Sequence, residues 1–197
     1  MTTTLNWYKE NAEEFITRTL TVDMTELLDN FIKYIPHGGK ILDLGCGAGA
    51  ASLYFQSCGF DVLPVDGCPE MCEAATRLIG KEARNIMFHE LDYDNEFDGV
   101  WANASLLHVP KNEISKTLTL VRNSLKINGV FYASFKYGET ERLKDGRFFS
   151  DYTQESLKTT LTEMGGFDII SMWTTADARP ERSDEKWVNV ICRKIWK

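Results

Sequence analysis

No apolar run in this sequence approaches the roughly 20 residues needed to span a bilayer. The opening residues, Met1-Thr2-Thr3-Thr4-Leu5-Asn6, lack a basic region followed by an apolar one, so neither a membrane anchor nor a secretory leader is expected. Cysteine is sparse and odd in number, five in 197 residues, with no C-x-x-C pair and no Cys/His cluster at zinc spacing. That excludes a disulfide scaffold and gives no reason to expect a metal; reduced thiols in a cytoplasmic protein are the expectation. Proline is scarce, and there are no repeats, low-complexity tracts or proline-rich linkers. One domain is expected.

Positive charge is scarce too. The net charge is −7, and residues 1–135 hold 11 Lys and Arg against 18 Asp and Glu, whereas 136–197 hold 11 of each. An acidic surface without a basic stripe repels phosphate backbones, so a nucleic-acid substrate is disfavoured.

What is present is a full complement of apolar residues, 43% of the chain, enough for one packed core. Residues 9–35 show two helical patterns, the second with Met24, Leu27, Leu28, Phe31 and Ile35 on one face, stopped by Pro36 and Gly38-Gly39. Residues 1–37 therefore read as a helical cap ahead of a core at 38–197. In that core, strand-like runs at 40–44, 61–65, 86–91, 98–103 and 129–135 alternate with helix-like runs at about 49–58, 69–79 and 111–125. Such alternation implies a parallel sheet covered on both faces. A helix at 153–164 and two runs at 167–174 and 186–194 suit an antiparallel pair closing the sheet. The polar stretch 136–150 is long for an αβ connection and reads as a lid over the strand ends.

The most informative segment is Lys40-Ile41-Leu42-Asp43-Leu44-Gly45-Cys46-Gly47-Ala48-Gly49. A buried strand runs into three glycines at alternate positions, and a helix follows. This is how an α/β sheet makes room for a nucleotide-like ligand. The dinucleotide fingerprint is G-x-G-x-x-G, however, and here the third glycine comes one residue early. Asp43, two positions before the first glycine, would repel a pyrophosphate and suits a cation. A nicotinamide-dependent dehydrogenase is the rival that this spacing disfavours. Asp66 ends the next strand about 20 residues on, where a carboxylate accepts from both ribose hydroxyls of a nucleoside or caps the following helix. Gly67 allows close approach beside it.

The motif Ile41-Leu42-Asp43-Leu44-Gly45-Cys46-Gly47-Ala48-Gly49 resembles the first motif of the class I S-adenosylmethionine (SAM) dependent methyltransferases. The resemblance covers nearly the whole chain from residue 38 and implies a Rossmann-like αβα sandwich with a seven-stranded sheet whose last strand is antiparallel. Ser134-Phe135-Lys136, Gly146-Arg147-Phe148-Phe149 and Tyr152-Thr153 are similar, more loosely, to small bacterial members near the tellurite-resistance type. Some of those carry Arg-Asp or Arg-Asn where this chain has Ala50-Ala51-Ser52, so substrate identity does not transfer.

By this resemblance Asp43, Gly45, Cys46, Gly47 and Gly49 form the methionine side of a SAM site. Asp66, Gly67, Asp92 and Tyr93 form the adenosine side, Asp92 facing the adenine amino group. Asn103 follows the fourth strand, where open α/β sheets place reacting groups, and would hold ligand rather than take a proton. His108 is either a general base or a packed histidine. Lys136, Tyr137, Arg147 and Arg179 are candidate acceptor contacts that would favour an anionic or electron-rich molecule. Tyr8, with Trp7 and Asn11, either folds over the cofactor or packs in the core. The expected protein is a methyltransferase for a small soluble acceptor, a monomer or homodimer. A non-catalytic SAM-binding sensor, and a protein or RNA methyltransferase, remain alternatives.

Overall fold

The computed structural model describes residues 2–179 and 182–196. Three short helices lead the chain, α1 (Thr2–Glu10), α2 (Ala12–Thr19) and α3 (Thr25–Ile32), one more than the periodicity suggests. The alternating core follows: β1 (Lys40–Leu44), α4 (Ala50–Ser57), β2 (Asp61–Asp66), α5 (Pro69–Ile79), β3 (Arg84–Asn85), β4 (Phe97–Ala102), α6 (Lys111–Ser124) and β5 (Leu125–Lys136). Then come β6 (Glu141–Lys144), β7 (Arg147–Ser150), α7 (Gln154–Met164), β8 (Phe167–Ala176) and β9 (Lys186–Lys194).

Seven strands form one sheet in the order β3-β2-β1-β4-β5-β9-β8. The pairs from β3 to β5 are parallel, and β9 runs antiparallel to both β5 and β8. The fold is the expected αβα sandwich. The order reverses at β1, and the cleft above β1 and β4 is where such sheets bind ligands.

Each sheet face carries its own core. On one, Leu28, Phe31 and Ile35 from the cap meet Ile41, Phe55, Trp101, Tyr132 and Ile191. Phe31 has no exposed surface and lies 5.3 Å from the Trp101 ring, which itself stacks on Tyr132 at 3.9 Å. Truncating such a ring to Ala costs about 3–5 kcal/mol, so the cap is part of the core. The other face is closed by Ile114, Leu118 and Val121 of α6 and Leu157 and Leu161 of α7.

Two sequence expectations are corrected. The run 86–91 is not a strand: pairing is confined to Arg84–Asn85, and Phe88–Glu90 form a 3-10 turn closed by the Glu90 side chain on the Met87 N–H. Apolar residues there face the cleft and α6 rather than a ladder. The 136–150 segment is not a loop but a hairpin, β6 paired with β7, turned at Asp145-Gly146, both with positive φ, and it stands over the strand ends as expected. It leans on α1, where the Phe148 N–H donates to Thr4 Oγ1 at 3.0 Å.

Candidate functional site

At the C-terminal ends of the parallel strands lies a cavity of about 780 Å³. That is within the roughly 300–1,000 Å³ typical of small-molecule sites. Its floor is the sheet edge, and its roof is built from α1, the α2–α3 turn and the β6–β7 hairpin.

The glycine turn after β1 divides its labour. Gly45 has φ +78 and packs so closely on Ser105 that a Cβ would stand 2.3 Å from the serine Cβ. Gly47 also has positive φ, +53, yet a Cβ there would meet nothing within 4 Å. Its missing side chain opens onto the cavity, the arrangement a close-lying ligand needs. Gly49 caps α4 and abuts Ala75 of α5. Cys46 is buried against Cys72 and Ala75, and burial pushes its thiol well up.

Two carboxylates flank this turn. Asp43 is buried, accepts from Ser52 Oγ at 2.6 Å, and is pushed up to about 7, chiefly by burial. The sequence reading gives Ser52 no role. Asp66 accepts from Gly47 N–H at 2.9 Å on Oδ2 and from Cys68 N–H at 2.8 Å on Oδ1. Through Cys68 it fixes the entry to α5, close to the capping role expected of it, and through Gly47 it tethers the glycine turn, which the sequence did not suggest. Burial again raises its pKa, and each oxygen retains a lone pair for a ligand hydroxyl. Gly67 completes this corner, a Cβ there falling 2.8 Å from Met87 Sδ and 3.3 Å from Leu5.

The adenosine-side assignment at 91–93 shifts. Asp92 is exposed and does not line the cavity, and Tyr93 is buried against Phe97 with its hydroxyl accepting from Arg84 at 3.3 Å. The chain turns back early at the 3-10 turn, so Met87 and Phe88 reach the cavity instead.

The other half of the floor consists of two rows across β5, β9 and β8. In the first, Asn103 just beyond β4 adjoins Ser134, Asn189 and Trp173; in the second, Lys136 adjoins Trp187 and Thr175. Asn103 Oδ1 accepts from Ser134 Oγ at 2.7 Å, an orientation set by the hydroxyl network. Its amide N–H groups have no hydrogen-bond partner among the described residues, and Asn103 lines the cavity. Lys136 is not the free cation expected. It is buried, bridges Asp177 at 3.0 Å and Glu185, and lies 3.9 Å over the Trp187 ring. Asp177 also accepts from Arg179 and from Trp187 Nε1, and these partners hold its carboxyl far below the usual range despite burial. Tyr137 is half exposed and does not line the cavity.

Of the two alternatives for His108, general base or packed histidine, the geometry fits the packed one. Its Nδ1 lies 2.6 Å from the Phe148 carbonyl, and its Nε2 3.0 Å from the Tyr8 hydroxyl. A carbonyl only accepts, so Nδ1 carries the proton and Nε2 accepts from Tyr8. Both nitrogens are committed, and burial lowers the pKa to about 4. The histidine ties α1 to the hairpin across the end of β4. Tyr8 lines the cavity and also packs against Phe15 and His108, so both alternatives have a counterpart, with Arg147 stacked 3.9 Å over neighbouring Trp7. Asn11 turns back to bond the Trp7 carbonyl.

Residues 41–129, from β1 into β5, match a methyltransferase domain family. YqeM of Bacillus subtilis (strain 168), a protein named as a methyltransferase, is 31% identical over 127 residues, 56% of this chain. The match spans 51% of YqeM, about half its length. The fold matches the 1,6-didemethyltoxoflavin-N1-methyltransferase of Burkholderia thailandensis, solved with 1,6-didemethyltoxoflavin and S-adenosylhomocysteine (SAH), at a TM-score of 0.81. Identity is 21%, over 98% of this chain and 87% of that one. A TehB-like SAM-dependent methyltransferase from Corynebacterium glutamicum superposes at 0.73 with 17% identity, over 94% and 99% of the two chains. The glycine turn after β1 and Asp66 at the end of β2 both lie inside the segment similar to the methyltransferase domain family.

Proposed function

We propose that this protein transfers a methyl group from SAM to a small soluble acceptor. The observation that carries the reading is the two-part cavity. One half is built around Gly47 and Asp66, the other around Asn103 and the β5–β9–β8 rows, and a single roof spans both.

The residues present fit SAM. Asp66 has oxygen lone pairs left for two ribose hydroxyls, Gly47 leaves the backbone approachable, and Asp43 sets a carboxyl beside a ligand bearing an ammonium and a sulfonium. SAM when bound supplies a methyl group on a sulfonium leaving group, already activated. The protein is left with alignment and exclusion of water. Asn103 presents amide donors at the acceptor side, and the roof, tied by Tyr8, His108 and Phe148, shields the cavity.

A roofed cavity of this size favours a small molecule over a protein or RNA chain. No helix among the described residues is long and apolar enough to cross a membrane. Five unpaired cysteines suit a reducing compartment, and we place the protein in the cytoplasm as a monomer or homodimer. Calorimetric titration with SAM and SAH, with NAD as control, tests the cofactor; loss of adenosyl binding in the wild type refutes the reading. Methyl-labelled SAM is then incubated with bacterial extract separated into small-molecule and macromolecular fractions. Label in the small fraction is expected. Label in protein or RNA overturns the acceptor class, and binding without any turnover identifies a sensor.

A further inference from the structure

Resting on that reading, we infer that the acceptor half of the cavity takes a conjugated ring compound already ionised at its nucleophilic atom, its negative charge facing Arg147.

The first ground is the lack of an available base among the described residues lining the cavity. His108 has both ring nitrogens committed. Asp177 receives Lys136, Arg179 and Trp187 together, and Glu185 holds Lys136 and Lys144. Asp43 and Asp66 stand at the glycine turn, bonded to Ser52 and to Gly47 and Cys68. Asp23, Glu26 and Asp145 are exposed at the mouth, on the α2–α3 turn and the hairpin tip. A nucleophile bound over Asn103 therefore brings its own electron pair. Its ionised atom supplies the pair for the new bond to the methyl carbon, and the pair of the broken carbon–sulfur bond stays on sulfur. No proton has to leave.

The second ground is charge. Lys136, Lys144, Arg142 and Arg179 each hold a carboxylate. Arg147 holds none of the described carboxylates. Its Nε is buried without a hydrogen-bond partner, and its guanidinium lies against the Trp7, Tyr8 and Phe149 rings. The rings give the half-buried guanidinium cation–π attraction but no counter-charge, and an anionic ligand in the cavity supplies one. The third ground is the walls: Trp173 and Trp187 from the floor and Phe149 from the roof give a ring apolar surfaces to lie against.

The test uses the SAH-loaded protein and 4-nitrophenol, whose ionisation is read directly by its absorbance. SAH affinity is measured first, so failure of the cofactor reading shows separately. Bound nitrophenol should ionise at least one pH unit lower than free nitrophenol, which is a tenfold or greater preference for the anion. Arg147→Gln should abolish that shift with SAH affinity retained, and Arg147→Lys should restore part of it. No binding of nitrophenol to the SAH complex, or ionisation at or above the free value, overturns the inference. So does an Arg147→Gln protein that has lost SAH instead, because the arginine then serves the cofactor.

Discussion

Replacing Asp43 by Asn should make the ligand-free protein more stable at alkaline pH while impairing its site. The Asp43 carboxyl is pushed up to about 7 from an ordinary 3.8, because it is buried and only Ser52 donates to it. The folded state thus holds a proton that the unfolded chain would release. Stability from the neutral carboxyl is complete below about pH 4 and is lost as pH rises through 7. A pKa gap of about 3, at about 1.4 kcal/mol each, gives an upper limit near 4 kcal/mol above pH 7. Relaxation and water entry reduce this, so a gain of about 2–4 kcal/mol is expected at pH 8. At about 2–4 °C per kcal/mol for a chain of this size, the melting temperature should rise by roughly 5–15 °C. The assay is thermal unfolding of wild type and Asp43→Asn from pH 4 to 9, read as the difference, so that other titrating groups cancel. That difference should be near zero at pH 4, grow through neutrality and flatten above pH 7. A cationic ligand reverses the preference: wild-type affinity for SAM should fall by up to tenfold per pH unit below 7, and the variant's should stay flat. A stability difference independent of pH, or an Asp43→Asn protein less stable at pH 8, refutes the reasoning.

Four further outcomes follow from the same geometry. Asp66→Ala removes charge-assisted bonds worth about 1.5–3 kcal/mol each, so SAH affinity should drop about 10- to 150-fold or more in calorimetry; an unchanged value excludes Asp66 from the ligand. Gly47→Ala should lose only about 1–2 kcal/mol of stability from its positive φ yet bind SAH far more weakly. Gly45→Ala, whose methyl would collide with Ser105, should be strongly destabilised, and equal melting temperatures for the two variants would contradict this division. With both His108 nitrogens committed and its pKa lowered to about 4, the pH profile of kcat/KM should show no histidine limb near 6.5. Tyr8→Phe should loosen the roof by about 1 kcal/mol, seen as faster amide exchange in α1. A limb near 6.5 that vanishes in His108→Gln would restore the base.

What was legible in the sequence was what the backbone dictates locally. The run Ile41–Gly49 and Asp66 follow from strand, turn and helix spacing within one βαβ unit, where glycine at positive φ has few substitutes. The parallel sheet with its antiparallel ending followed from the alternation, whereas the strand order came only with the structure. Less legible was whatever depends on partners far along the chain. Lys136 read as an available cation because Asp177 and Glu185, 41 and 49 residues away, cannot be placed beside it without the β5–β9 register. His108 stayed open between base and packed histidine for the same reason: its partners lie 100 residues before it and 40 after. Asp92 misled because the apolar run 86–91 satisfies a strand pattern, yet the chain turns back at Phe88–Glu90 before reaching it. A side chain's chemistry is fixed by which of its atoms remain unpaired, and pairing is a property of the folded contacts. The reactive-looking residues His108 and Lys136 thus turn out to be structural ties. Arg147, one of several charged residues in a polar run, keeps a buried Nε with no hydrogen-bond partner among the described residues.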